Sequence, residues 1–289
     1  ANAQYGEIAG IVAKGAPVGV SRLFAGQPEA SEAMYRLARA ARDGRAALED
    51  IRIVGGLAGE AGGRPIWYRV AVRALPQVEG ASKPLILPDS ALQADAIVCA
   101  FNPGMRGGQA LAELLFGQIE PSGRLPITFA RHAGQLPVYY NQINGQHGHR
   151  YADLTQAPQY AFGEGLSYTR IVYSDLAIDQ TSLQQGDVLR ASITLQNTGS
   201  RPALETVQVY LRDLVTSVTW ANRELKAYRQ VWMAPGQKQV VTLELPVDDC
   251  SLVDARGQRV VEPGGFELLV GPSSRPNDLL TARFDVRSA

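Results

Sequence analysis

His147, His149, Arg150, Tyr151 and Asp153 fall within seven residues of one another. Two histidines at alternate positions are the residue type that ligates transition metals. Asp153 is the one nearby carboxylate, however, and no third strong donor accompanies it, so no metal site is expected. Arginine, tyrosine, aspartate and histidine on one loop suit hydrogen bonding to the hydroxyls of a sugar, or a polar network that anchors the loop itself. Trp220, in the loop over 216–223, can stack on a sugar ring or pack between domains. Gly107-Gly108 could offer backbone amides to an oxygen or anion at a helix start, or simply let a helix approach its neighbour closely. The phosphate-loop lysine and the dinucleotide fingerprint are both missing from this turn.

These residues need elements to position them. Over 29–42, Ala30, Met34, Leu37, Ala38 and Ala41 recur at helical spacing, with Arg36, Arg39 and Arg42 on the other side and Gly44 as a stop. Strands are expected over 48–54 and 65–75, joined by the glycine-rich hairpin 55–63 that carries Glu60. The run over 94–101 is apolar on both faces and predicts a buried parallel strand. Gly107-Gly108 then opens a helix over 109–116, with Ala110, Leu111, Leu114 and Leu115 inward and Gly117 as its stop. From residue 173 short alternating segments recur over 173–178, 188–196, 206–212, 224–231, 239–245, 265–270 and 281–286. Seven short strands at this spacing indicate an immunoglobulin-like sandwich. Leu189, Ala191, Ile193 and Leu195 form one inward face, and Val207, Val209 and Leu211 another.

Several motifs occur in a set order: Phe101-Asn102-Pro103-Gly104-Met105-Arg106-Gly107-Gly108, Leu115-Phe116-Gly117, Pro121-Ser122-Gly123-Arg124-Leu125-Pro126, Pro137-Val138-Tyr139-Tyr140 and Phe162-Gly163-Glu164-Gly165-Leu166-Ser167-Tyr168. With them the chain resembles, from about residue 81, the C-terminal region of family 3 glycoside hydrolases, the β-glucosidase and β-xylosidase group. The resemblance implies part of an α/β sandwich domain over 81–171 and a fibronectin type III-like β-sandwich over 172–289. It also implies retaining hydrolysis by two closely spaced carboxyl groups, with the nucleophilic aspartate on an N-terminal barrel. This chain does not contain that barrel, so it is not expected to be catalytically competent alone. Gly59-Glu60-Ala61-Gly62-Gly63 resembles the loop that carries the family's acid/base glutamate, which makes Glu60 the one catalytic candidate. The flanking strands do not match, and the run to the next motif is too short. His149, Arg150, Tyr151, Asp153 and Trp220 are the substrate-binding candidates. Glu164 stands where the family motif often has an aromatic or polar residue, and is read as a turn residue between two glycines.

Residues 1–80 carry a different resemblance. Leu23-Phe24-Ala25-Gly26, Tyr35-Arg36-Leu37-Ala38 and Trp67-Tyr68-Arg69-Val70-Ala71-Val72-Arg73-Ala74-Leu75-Pro76 resemble part of a PAS sensory domain of bacterial sensor histidine kinases. This implies an α+β segment that binds a small ligand in a cavity lined by Leu37, Ile51, Tyr68 and Val70, or pairs with a second copy through its sheet. Trp67 and Tyr68 can equally be sheet packing. No residue identifies a haem or flavin, and no cofactor is expected. The rival to the glycosidase reading is therefore a signalling module, or an artificial fusion joined near Gly80. A parallel strand edge over 94–101 would need cover, which the PAS-like sheet could supply. The expected fold class is α/β plus all-β.

Composition narrows the partners. The 28 basic and 28 acidic residues give a net charge of zero, so nothing marks a nucleic-acid or anionic-membrane partner. Carbohydrate, a homodimer mate and the barrel domain are the expected contacts. No apolar run approaches the roughly twenty residues of a membrane span. The N-terminus lacks the basic and apolar regions of a signal peptide, so a soluble bacterial-type protein, cytoplasmic or periplasmic, is expected. Cys99 and Cys250 are read as two buried free thiols.

Overall fold

The computed structural model describes residues 28–42, 47–53, 66–72, 86–87, 92–101, 103–143 and 154–288. They fall into two compact units. One comprises residues 1–82 and 95–119, the other 83–94 and 120–289.

In the first unit, helix α1 (Pro28–Arg42) precedes strands β1 (Ala47–Ile53) and β2 (Ile66–Val72). The strands pair antiparallel, with Ile51 opposite Tyr68 and Glu49 opposite Val70. The helical stripe forms as its spacing predicts: Ala30, Met34 and Leu37 are buried, and Arg36 and Arg39 are exposed. Arg36 reaches across to Glu49, donating from Nε at 2.7 Å and from Nη2 at 3.0 Å. Helix α2 (Gly107–Leu115) belongs to the same unit. Its Ala112 is buried in one cluster with Ala30, Met34, Leu37 and Ile51, against which Leu115 and Phe116 also pack. Leu37 and Ile51 thus sit in a packed apolar cluster.

Several expectations fail here. The apolar run over 94–101 is not a strand. Val98 is 43% exposed and Phe101 52% exposed, with Phe101 at φ 44°. A parallel strand is stable only between partners that accept its hydrogen bonds, and among the described residues no strand lies beside this run: β1 and β2 form a sheet of their own. Among the described residues, 66–72 and 97–101 therefore do not share a sheet. Cys99 accordingly is only half-buried, while Cys250 is buried as expected, with its thiol pushed up to about 12 by burial. Within α2 the buried positions are Gly107, Ala112 and Glu113, and the leucines expected to face inward are half-buried. Gly107 serves packing, since a Cβ there would lie 2.5 Å from the Pro103 Cβ. Gly117, at φ 70°, ends the helix by donating to the Leu114 carbonyl.

The second unit is a β-sandwich built from β3 (Ile171–Ile178), β4 (Ser182–Leu183), β5 (Val188–Asn197), β6 (Ala203–Asp213), β7 (Glu224–Met233), β8 (Lys238–Pro246), β9 (Leu252–Val253), β10 (Arg259–Val260), β11 (Gly264–Gly271) and β12 (Leu280–Val286). One sheet has the order β4-β12-β11-β6-β7 and the other β3-β5-β8. All seven expected strands are present, lengthened by one to three residues at most ends. The two inward faces meet as the alternation requires: Ile193, Leu195 and Val207 are fully buried, with Phe266, Val270 and Met233 filling the space between the sheets. Among the described residues no helix is long and apolar enough to cross a membrane.

Asp213, at the end of β6, is half-buried, and burial, with Glu262 adding to it, raises its carboxyl to about 6. A raised native pKa means the native state holds a proton that the unfolded chain has released. The resulting stability is present below the unfolded value of 3.8 and is lost as pH rises through 6. Asp213→Asn keeps an Oδ1 acceptor for the Val215 amide. It is expected to gain about 1 kcal/mol above pH 6.5, after discounting for solvent screening, and nothing below pH 4. Urea midpoints at the two pH values check this.

Candidate functional site

The motif-bearing segment 120–168 is tied to the sandwich by buried polar groups. Arg124, from the Pro121-Ser122-Gly123-Arg124 turn, donates from Nη2 to Glu205 Oε2 at 2.9 Å. The other oxygen of Glu205 accepts from the Tyr173 hydroxyl at 2.7 Å. Glu205 is nearly inaccessible; burial raises its carboxyl pKa, against the pull of Arg124 and Tyr173. Burial and the adjacent carboxylate likewise hold the Tyr173 phenol well above its ordinary value. Glu120 accepts from the Ser167 hydroxyl at 2.5 Å and the Tyr168 amide at 2.6 Å, and the Arg201 guanidinium lies 5.2 Å from the Tyr168 ring.

The Phe162-Gly163-Glu164-Gly165 motif is the second anchor. Its backbone pairs with Leu125: the Leu125 amide donates to Glu164 O at 2.9 Å and the Gly163 amide to Leu125 O at 2.8 Å. Gly163, at φ 77°, brings its carbonyl onto the buried side chain of Gln208, which donates at 2.9 Å. Gln208 also donates to the Pro272 carbonyl and accepts from the Tyr210 hydroxyl. Glu164 is more than a turn residue: its Oε2 accepts from Arg275 at 2.6 Å and from the Ala161 amide at 2.8 Å. Phe162 stacks on Tyr140 at 4.2 Å, and Tyr140 meets Tyr210 edge-on at 5.9 Å.

Glu60, His147, His149, Arg150, Tyr151 and Asp153 lie outside the described residues. The described residues on either side of 144–153 are each held by hydrogen bonds. On one side the Asn222 amide donates to Gln142 O at 2.8 Å, and Ile143 bridges Ala221. On the other, Gln135 donates to Thr155 O at 2.7 Å and Arg131 donates to Ala157 O at 3.1 Å. Trp220 is half-buried and donates from Nε1 to Glu224 Oε2 at 3.0 Å, so its indole is fixed on the sandwich. His132 is exposed and accepts from the Gly134 amide as a local cap. Among the described residues no group of three or more His, Cys, Asp or Glu could hold a metal ion.

The sequence reading missed Glu205 and Gln208. For Glu205 a signal existed: it shares the inward parity of Val207, Val209 and Leu211 in an alternating strand. A carboxylate on such a face needs a cation, and Arg124 supplies it from 81 residues away.

Residues 78–168 match the glycosyl hydrolase family 3 C-terminal domain, and residues 205–274 match the fibronectin type III-like domain. Neither match reaches the first 77 residues, and nothing supports the PAS resemblance there. Among relatives, the chain is 34% identical over 202 residues to a periplasmic β-glucosidase of Salmonella typhimurium, covering 66% of this chain and 26% of that protein. It is 34% identical over 210 residues to a β-xylosidase of Formosa agariphila, covering 71% and 29% respectively. Among solved structures, a β-glucosidase involved in saponin metabolism from intestinal bacteria is 56% identical, with a TM-score of 0.62 over 64% of this chain and 25% of that one. A β-glucosidase of Listeria innocua in complex with glucose is 31% identical, with a TM-score of 0.60 over 64% and 27%. The chain thus spans about a quarter of the length of the relatives it matches. From residue 78 onward it carries the glycosyl hydrolase family 3 C-terminal domain followed by a fibronectin type III-like domain.

Proposed function

We propose that this chain is the non-barrel scaffold of a retaining β-glycosidase acting on β-glucosides or β-xylosides, and that it does not turn over glycosides by itself. The observation that carries this reading is the use made of its carboxylates. Glu120, Glu164, Glu205 and Glu267 each pair with an arginine that fastens one part of the second unit to another. A retaining glycosidase needs two carboxyl groups about 5 Å apart across an open sugar site, one of them free to attack. Carboxylates locked in arginine pairs suit a scaffold. Sugar contact falls in this reading to His149, Arg150, Tyr151 and Asp153, and to the fixed indole of Trp220. Aryl β-glucoside and aryl β-xyloside assays of the chain alone are expected to show no turnover above the uncatalysed rate. Turnover abolished by one carboxylate substitution, Glu60→Gln included, would overturn the proposal.

A PAS-like role in ligand sensing or dimerisation has no support for the first 77 residues. The burial of Leu37 and Ile51 in a packed cluster argues against a cavity there.

A further inference from the structure

Strand β7 ends its sheet. It follows β6 in the order β4-β12-β11-β6-β7, so among the described residues no strand pairs with its other edge. Its side chains show that this edge is open. In a strand packed on a core, alternate side chains are buried. Tyr228, Arg229 and Gln230 are consecutive and all exposed, which needs an open edge as well as an open outer face. Tyr228 is 67% exposed and Trp232 43%. With Gln230 they share the outer face, while Val231 and Met233 point into the core. An unpaired strand edge beside exposed aromatics is a template for another strand.

The chain itself sets the length of the open stretch. β7 pairs with β6 without interruption from Ala227 opposite Val209 to Met233 opposite Ala203, and the register slips just before Ala227, where Leu225 faces Tyr210. Past Met233 comes Pro235, which has no amide to donate. The regular edge is therefore 227–233, and Gln230 is its midpoint. That midpoint makes the edge self-complementary. On a two-fold axis through Gln230, Tyr228 faces the partner's Trp232, and Trp232 faces the partner's Tyr228. Cross-strand aromatic pairs of this kind are stabilising. Gln230 meets the partner's Gln230, and each carboxamide can donate to the other's oxygen. Arg229 is the one charged residue of the stretch. It faces the partner's Val231, and its Nη1 is drawn off to the Thr242 carbonyl of β8 at 2.8 Å, which keeps the two diagonal guanidinium groups apart. An axis at Arg229 would set like charges directly opposite, and one at Tyr228 would keep one aromatic pair instead of two.

We propose that β7 is a homodimer interface: two copies of this chain pair edge to edge, antiparallel, about a two-fold axis at Gln230, and their five-stranded sheets become one. The inference does not depend on the glycosidase reading. The contact is small, so the dimer dissociates in the micromolar range. Sedimentation equilibrium of the chain over a range of concentrations is the test, and a monomer–dimer equilibrium is expected. Gln230→Lys and Gln230→Glu each set like charges face to face and should weaken association by about tenfold or more. Neither should lower the thermal midpoint, because Gln230 is exposed. Mixed in equal amounts, the two variants should associate again as a heterodimer, a rescue that misfolding cannot produce. A chain that stays monomeric into the millimolar range would overturn the proposal, as would a dimer that both charged variants leave unchanged. So would a monomer whose fluorescence is quenched by cellohexaose in the parent and not in Trp232→Phe, since the face would then be a platform for a sugar chain.

Discussion

Glu205→Ala is expected to lower the stability of the sandwich unit by about 3–5 kcal/mol, read as a drop in the urea midpoint with unchanged slope. The substitution removes the acceptor of two donors at once and takes from the Arg124 guanidinium its paired carboxylate. Arg124→Met should cost less. A lone Glu205 carboxyl, whose pKa burial already raises, can take up a proton, whereas a lone guanidinium cannot lose one. The sign follows from linkage. With its native pKa above the unfolded value, Glu205 favours the native state below that unfolded value, and the benefit is lost as pH rises through the native one. The Arg124→Met penalty should therefore shrink on acidification, while that of Glu205→Ala should not. The double variant closes the cycle, with an expected coupling of about 2 kcal/mol. Additive losses would show that the pair does not fasten the Pro121-Ser122-Gly123-Arg124 turn to the sandwich.

Gly163→Ala is the second large effect, about 3–4 kcal/mol from two separate causes. A side chain at φ 77° costs about 1–2 kcal/mol in backbone strain. The new Cβ would also fall 1.9 Å from Gln208 Oε1. Gln208 cannot yield without giving up its bonds to the Gly163 and Pro272 carbonyls and the Tyr210 hydroxyl, each buried donor or acceptor costing about 1–3 kcal/mol when left alone. Gly186→Ala separates the causes, since Gly186 has φ 89° with open space around its Cβ position; it should show the backbone cost alone. Adding Gln208→Ala to Gly163→Ala should remove the steric part of the loss. Equal losses at Gly163 and Gly186 would mean that the motif glycine is needed only for its turn.

The sandwich was legible in the sequence because period-2 alternation is a local signal. Leu189 to Leu195 and Val207 to Leu211 point inward whatever the rest of the chain does. Helix α1, with Ala30, Met34 and Leu37 on one stripe, was legible for the same reason. The run ending in Phe101 was misread because an apolar stretch has no conformation of its own; whether it becomes a strand depends on partners elsewhere in the chain. The motifs that carry the family resemblance could be read one by one, but not what they touch. Nothing local to Gly163 announces Gln208, nor does anything near Arg124 announce Glu205.

What the sequence by itself determined is the periodic elements, the turns with their glycines, and the order of motifs that identifies a family 3 C-terminal region. Each is a property of neighbouring residues, written in hydrogen-bonding and steric preferences a few positions long. What only the tertiary structure decided is the pairing of charges across tens of residues: Arg124 with Glu205, Arg275 with Glu164, and Glu267 between two arginines. A buried charge is tolerated only where the fold brings its partner, and that meeting is set by how the strands pack.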